Sequence, residues 1–135
     1  YVYLIYGMHN CLNVVAHQGG AEDVGAVLLR ALEPDAALAL PDGANLRGPA
    51  RLCATLGIDR GHNGIDLLTR DSPLFLADAD GRTVADDEVA AGPRIGVDYA
   101  GEDALLPYRF CVRGSRHLSR AIGGSEPRSK SRRAC

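Results

Sequence analysis

Two polar residues lie in otherwise apolar segments of the sequence, where their side chains could serve a binding or catalytic site. Asn13 interrupts the apolar segment 11–16, and Arg30 lies near the end of the apolar segment 25–32. A buried amide costs free energy unless it is hydrogen-bonded, and a guanidinium needs a carboxylate or phosphate partner. Both residues are therefore candidates for function. Two alternatives stay open: Asn13 could satisfy the backbone of a turn, and Arg30 could extend from a strand end into water.

Three tyrosines in the first six residues form a second candidate group. Tyr1 and Tyr3 have the same parity in a strand and should share one face, whereas Tyr6 should point to the other. Tyr6, with Met8 beside it, falls next to a predicted turn, where a large apolar side chain would sit in water. The structural alternatives are that Tyr6 packs on a neighbouring surface and that Tyr1 and Tyr3 are core aromatics.

The cysteines and histidines do not form a convincing metal site. The four cysteines show no Cys-x-x-Cys pair and no metal-ligand spacing; they are Cys11, Cys53, Cys111 and Cys135. His9, Cys11 and His17 could be drawn together, but a hairpin accounts for that segment. We expect reduced thiols, and neither a metal nor another cofactor.

Length and composition indicate one globular domain. The chain has 135 residues, of which 46% are hydrophobic. No apolar run reaches the roughly 18–20 residues of a membrane helix, and no signal peptide is visible. We therefore expect an intracellular protein that does not contact a membrane. The chain begins inside an aromatic and β-branched strand, which suggests a fragment; a processed mature end is the alternative.

Charge is divided unevenly along the chain. From Arg113 onward seven basic residues face one acidic residue, whereas the rest holds 8 basic and 16 acidic residues. Proteins that bind phosphate usually show a basic balance, so this distribution counts against nucleic-acid binding by the main part of the chain. The basic segment 115–135 is rich in Ser, Arg and Gly, and we expect it to be a disordered tail.

Periodicity predicts a mixed α/β (α+β) architecture. Strands at 1–6, 11–16 and 25–32 would form an antiparallel meander, with the third strand central because it is almost entirely apolar. Pro49 and Gly57 suit the two ends of a helix over 48–57. Further predictions are a helix starting within 35–40, a hairpin turn at 80–81, strands at 73–77, 82–84 and 108–112, and a turn followed by a strand within 92–97. We expect a single domain with a curved, mostly antiparallel sheet, short helices and a protruding hairpin.

Six segments in order resemble the alkyladenine (3-methyladenine, or methylpurine) DNA glycosylase family. The similarity is carried by YVYLIYGMHNCLNV at 1–14, VLLRALEP at 27–34, GPARLC at 48–53, NGIDL at 63–67, GPRIGV at 92–97 and YRFCVRG at 108–114. The resemblance covers most of residues 1–114, which we assign as the glycosylase domain. It implies a monomeric, nucleoid-associated enzyme of the cytoplasm that acts on double-stranded DNA carrying damaged purines, with water as the nucleophile.

The resemblance also implies how such DNA would be bound. A glycosylase must take the damaged nucleotide out of the stack, and a side chain inserted through the minor groove can hold the gap open. Tyr6, with Met8 beside it, matches the inserted residue of the family hairpin. Tyr3 matches the ring on which the flipped base stacks, with Tyr1 behind it, and Asn13 matches an asparagine that works against normal guanine. Two further DNA-contacting positions of the family match Arg94 and Gly96.

For catalysis, the resemblance places Arg30 beside the catalytic glutamate and its attacking water, which the backbone carbonyl at Ile95 also contacts. That glutamate belongs to a segment upstream of the hairpin and is not among residues 1–135. Glu33 matches a different family position and is not expected to replace it. The resemblance therefore implies DNA base-excision repair by hydrolysis of the N-glycosidic bond of alkylated or deaminated purines. It also implies that this chain alone is inactive. The alternative function is a non-catalytic nucleic-acid-binding remnant or module of the same fold.

Overall fold

The computed structural model describes residues 1–17, 19–20, 24–35, 40–78, 83–120 and 122. These residues belong to two compact units, the first spanning Tyr1–Thr83 with His117–Ser119 and the second spanning Val84–Arg116 with Arg120 and Ile122. Four predictions fall at least partly outside the described residues: the short helix starting within 35–40, the hairpin turn at 80–81, the strand at 82–84 and the basic tail at 115–135. The domain boundary at residue 114 also stays a prediction.

A three-stranded antiparallel meander forms the centre of the first unit. Its strands are β1 (Val2–Ile5), β2 (His9–His17) and β3 (Val24–Leu28), and they lie in the order β1-β2-β3. The predicted meander is confirmed, but the prediction that the third strand is central is wrong, because β2 pairs on both sides. Val24 and Val27 of β3 are 61% and 60% exposed, so an apolar composition alone did not indicate burial.

The register of the hairpin determines which side chains share a face. Val2 pairs with Leu12 and Tyr3 with Cys11, while Ile5 pairs with His9. Directly paired residues of antiparallel strands point to the same side of the sheet. Tyr3 and Cys11 therefore share one face, and Val2 and Leu12 share the other.

The helix α1 (Pro49–Leu56) has the predicted ends. Pro49 occupies the first turn, where a missing N–H costs no intrahelical hydrogen bond. Gly57 ends the helix with a φ of 66°, a left-handed conformation that glycine adopts without steric cost. The backbone N–H of Ile58 then donates to the carbonyl of Cys53 at 2.8 Å, a Schellman-type ending that turns Ile58 toward the sheet. The predicted helix over 48–57 is confirmed.

The core of the first unit lies between α1 and one face of the sheet. Leu52 of α1 is fully buried, and its cluster consists of Val2, Leu12, Leu52, Cys53 and Ile58. Burying one such aliphatic side chain stabilises the fold by roughly 1.5–3 kcal/mol. The face of the sheet that carries Val2 and Leu12 is thus occupied by packing. The opposite face, with Tyr1, Tyr3, Cys11 and Asn13, is called the tyrosine face below.

The second unit contains a two-stranded antiparallel sheet. Its strands are β4 (Val89–Gly92) and β5 (Arg109–Val112), with 3₁₀ turns at Asp86–Glu88 and Asp98–Leu105. The strand predicted at 108–112 is confirmed. Within 92–97 a turn followed by a strand was predicted, and the strand is wrong: β4 ends at Gly92, directly before Pro93, which has no N–H to continue the ladder.

The described residues of the predicted strands at 73–77 and 82–84 also lie outside the five strands, so these predictions are wrong there. Within 73–77, one backbone bond at 2.8 Å ties the N–H of Leu76 to the carbonyl of Leu67. The mixed α/β class, with antiparallel strands, short helices and a hairpin at the start, is confirmed. In the described part of the chain, no helix is long and apolar enough to cross a membrane.

Candidate nucleic-acid interface

The tip of the β1–β2 hairpin presents two large apolar side chains to solvent. Tyr6 is 85% exposed and Met8 is 70% exposed. The Met8 N–H donates to the carbonyl of Ile5 at 3.3 Å and closes the turn. Tyr6 has a φ of 53°, and it is the one described residue other than glycine with a positive φ. A left-handed conformation costs a tyrosine roughly 1–2 kcal/mol, which glycine would avoid. The placement of Tyr6 at the tip is confirmed, and packing on a neighbouring surface does not occur.

The rings of Tyr1 and Tyr3 form a stack on the tyrosine face. Their centroids are 5.6 Å apart and their planes are 20° from parallel. Tyr1 is 54% exposed and Tyr3 is half-buried, so neither is a core aromatic. Because Tyr6 has the opposite parity and lies at the tip, the hairpin presents aromatic rings at two separate places.

Asn13 lies beside this stack and is nearly buried, with 6% of its surface exposed. Its Nδ2 donates to the carbonyl oxygen of Tyr1 at 3.3 Å. The same oxygen accepts the backbone N–H of Asn13 at 2.8 Å, and the backbone nitrogen of Tyr1 donates to the Asn13 carbonyl at 2.9 Å. The amide therefore satisfies strand backbone rather than a turn, and it fixes the start of β1 against β2.

Arg30 contributes positive charge near the tyrosine face. It is half-buried and lies two residues beyond the end of β3. Burial raises the pKa of the Cys11 thiol, and a hydrogen bond with the Tyr3 side chain and the charge of Arg30 both act to lower it. Tyr3 and Arg30 thus both act on the Cys11 thiol. Glu33 is exposed to solvent in the following segment.

The remaining predicted residues belong to the second unit, in the loop after β4. The Nη2 of Arg94 donates to the carbonyl of Asp103 at 2.8 Å, and its guanidinium carbon lies 5.7 Å from the centroid of the Tyr108 ring. Arg94 is therefore engaged within its own unit. Gly96 is exposed with a φ of 75°, and Ile95 is half-buried. The predicted closeness of Ile95 to Arg30 stays a prediction.

Sequence reasoning gave no role to Asn63, which the structure connects to the hairpin. Its Oδ1 accepts the backbone N–H of Val2 at 3.0 Å. Asn63 and Tyr1 also line a groove of about 630 Å³ whose other walls are Val14–Ala16, Gly64–Leu68 and Leu76. The dipeptide Asn63-Gly64 was the available signal, since Gly64 has a φ of 83° and marks a tight turn.

Comparison with known proteins gives a consistent result. The family model described as "Methylpurine-DNA glycosylase (MPG)" matches residues 1–116. A protein of Myxococcus xanthus (strain DK1622) named "Putative 3-methyladenine DNA glycosylase" is 50% identical over 120 residues, which cover 89% of this chain and 58% of the relative. Proteins with the same name from Bdellovibrio bacteriovorus and Methanocella arvoryzae are 41% and 40% identical, over 89% and 92% of this chain.

These relatives are longer than the matched region. The aligned region covers 58%, 62% and 63% of the three relatives, so the chain spans about three fifths of their length. The family match extends over both units of the structure and includes every residue singled out above. The chain belongs to the methylpurine-DNA glycosylase family.

Proposed function

We propose that this chain supplies the DNA-inserting and base-stacking part of a monofunctional glycosylase that removes alkylated or deaminated purines from double-stranded DNA. The observation that carries the proposal is the arrangement of aromatic rings on one hairpin. Tyr6 is exposed at the tip, and Tyr1 and Tyr3 stack on the tyrosine face. Family membership supports the proposed substrate class.

Insertion of Tyr6 would maintain the flipped state of the nucleotide. Removing a base from the duplex costs a few kcal/mol, and an apolar side chain in the vacated space offsets part of that cost. The exposure of Tyr6 supports this role, because a tyrosine gains nothing in free protein from a strained conformation in water. Met8, exposed on the same turn, would contact the neighbouring base step.

The flipped purine would stack on Tyr3. Stacking of a base on an aromatic side chain contributes about 1–3 kcal/mol, and a cationic alkylated purine gains further from cation–π attraction. Tyr1 lies behind Tyr3 in the same stack and would keep its ring from turning. Asn13, whose Nδ2 is bonded to Tyr1, would stand at the base edge and crowd the exocyclic amine of guanine.

Hydrolysis would need a water held by Arg30 and by the carbonyl of Ile95, and a carboxylate to accept its proton. The family places that glutamate upstream of the hairpin, outside residues 1–135. Arg94 and Gly96 would hold the DNA backbone. Gly96 would do so through its backbone N–H, and Arg94 by ordering the loop through Asp103 and Tyr108. Water is the nucleophile in this scheme, the enzyme acts as a monomer, and the site of action is the nucleoid.

The experiment measures binding of the 135-residue chain to a duplex with one 1,N6-ethenoadenine, an alkylated purine, and to the undamaged duplex. We expect tighter binding to the damaged duplex, and Tyr3→Leu and Tyr6→Ala should remove most of that preference. Tyr99→Ala is the matched control, because Tyr99 is 89% exposed and none of the proposed DNA contacts involves it. Equal binding of both duplexes would contradict the proposal. Binding of both duplexes with no preference, retained in all variants, would favour a non-catalytic nucleic-acid-binding module.

A further inference from the structure

Asn63 links the loop after α1 to the first strand, 61 residues away in sequence. Its Oδ1 accepts the Val2 N–H at 3.0 Å. Tyr1 and Asn13 exchange both backbone hydrogen bonds, so the neighbouring pair of Val2 and Leu12 does not. The Val2 N–H consequently points away from β2, at the outer edge of β1, and Asn63 supplies its acceptor.

A capped turn holds Asn63 in place. The Asp59 carboxylate accepts the Gly61 N–H at 2.8 Å and lies 3.1 Å from the His62 ring nitrogen Nδ1. The Asn63 N–H donates to the Arg60 carbonyl at 3.1 Å. These bonds fix the backbone of the residues before Asn63, so its side chain does not have to be ordered by the bond to Val2 alone.

Segment 58–63 therefore holds Val2 in two ways. Its side chain packs in the core cluster with Ile58, and its N–H binds Asn63. Tyr1 and Tyr3 flank Val2 in the strand and stack on the opposite face. Any rotation or shift of the strand at Val2 would move both rings.

We propose that Asn63 is a positioning residue for base recognition. By fixing the edge of β1 at Val2, it keeps the Tyr1 and Tyr3 rings in one stack of fixed orientation toward a flipped purine. This inference rests on the proposed function for its consequence in DNA binding. The physical link from Asn63 to the tyrosine stack can be measured without DNA.

Three variants separate positioning from general stabilisation. Asn63→Ala removes the acceptor, and Asn63→Asp retains it. Asn45→Ala is the matched control, because Asn45 Oδ1 also accepts a backbone N–H, from Arg47 at 2.9 Å, elsewhere in the same unit. If Asn63→Ala does not fold, Gly64→Ala serves instead: it opposes the φ of 83° and displaces Asn63 while keeping its amide.

The measurements are amide hydrogen exchange at Val2 and Tyr3, near-ultraviolet circular dichroism of the tyrosines, and the ratio of affinities for the ethenoadenine duplex and the undamaged duplex. Loss of one hydrogen bond should speed Val2 exchange about fivefold and lower the affinity ratio by a similar factor. Asn63→Asp should keep both quantities at the parent values, because it retains the acceptor for the Val2 N–H. Its added charge affects binding of both duplexes alike and so leaves their ratio unchanged. Asn45→Ala should change neither quantity.

Two results would overturn the proposal. The first applies if the parent chain prefers the damaged duplex: Asn63→Ala speeds exchange of the Val2 amide but leaves the affinity ratio unchanged. The other is an equal loss in Asn63→Ala and Asn45→Ala, which would indicate a general effect on stability. A parent chain without preference for damage overturns the proposed function instead. In that case the near-ultraviolet circular dichroism decides whether Asn63 orders the tyrosine stack. A spectrum of Asn63→Ala identical to that of the parent would show that it does not.

Discussion

The rings of Tyr1 and Tyr3 stack with their centroids 5.6 Å apart on the face of β1 that does not pack on α1. Val2, between them, points the other way into the core and is 3% exposed. These three consecutive residues therefore contribute one side chain to the core and leave the Tyr1 ring exposed and the Tyr3 ring half-buried. Tyr6, at the tip of the same hairpin, adds a third ring that the fold does not use for packing.

The first prediction concerns the strained tyrosine of the hairpin tip. Tyr6→Gly should increase the free energy of unfolding by up to about 1 kcal/mol, because glycine adopts a φ of 53° without steric cost. The same change should abolish the preference for ethenoadenine DNA, so stability and binding move in opposite directions. Urea unfolding and duplex binding measure the two quantities. Loss of stability in Tyr6→Gly would mean that the ring packs on the protein.

The second prediction concerns the nearly buried amide. Asn13→Leu should change the free energy of unfolding by less than about 1 kcal/mol. The Tyr1 carbonyl loses the side-chain donor but still accepts the backbone N–H of residue 13, a bond of 2.8 Å in the parent. Discrimination between damaged purine and normal guanine should nevertheless fall. Asn13→Ala is the comparison, since it also leaves a cavity and should cost more stability. A large destabilisation by Leu with unchanged discrimination would indicate a purely structural asparagine.

The sequence predicted best those elements whose local chemistry is distinctive. Pro49 and Gly57 bracket α1, and the alternation around Tyr6 and Gly7 predicts the hairpin. It predicted less well where burial had to be inferred from composition. The residues of β3 are apolar yet exposed at an edge, and the apolar segment 73–77 contains no strand.

Only part of the candidate site could be predicted from the sequence. Tyr1, Tyr3 and Tyr6 follow from parity and from family resemblance, because each lies in one contiguous motif. Asn63 does not, since its bond to Val2 spans 61 residues and depends on the path of the chain after α1. A long-range contact of this kind produces no periodic pattern in either segment from which it could be predicted.

The third prediction concerns acid stability. The hydrogen bond with His62, followed by that from the Gly61 N–H, lowers the pKa of Asp59 below its ordinary 3.8. A carboxyl with a lowered pKa in the folded state stabilises the protein above its ordinary pKa, and that contribution is lost as the pH falls through the folded-state value. Asp59→Asn keeps an acceptor for the cap but does not titrate. As the pH is lowered below about 4, the urea midpoint of this variant should therefore fall less steeply than that of the parent. Parallel curves for the two proteins would contradict the prediction.

The fourth prediction is that the polypeptide 1–135 binds lesion-bearing DNA but releases base slowly. In the proposed reaction, the proton of the attacking water needs an acceptor. Glu33 is exposed to solvent and is not expected to provide it. General-base assistance typically contributes about 10²–10⁴-fold, so the rate should be lower by that order than in a chain that includes the family's glutamate.

A chimera tests this prediction directly. In the chimera, the corresponding part of this chain replaces the matched region of the Myxococcus xanthus relative, since the two proteins are 50% identical over those 120 residues. Base release from a hypoxanthine-bearing duplex is then measured for the 135-residue chain, for the chimera, and for the chimera with Arg30→Ala. The chimera should be fast and the other two slow. Rapid release by the 135-residue chain, abolished by Glu33→Gln, would identify Glu33 as the base and refute the prediction.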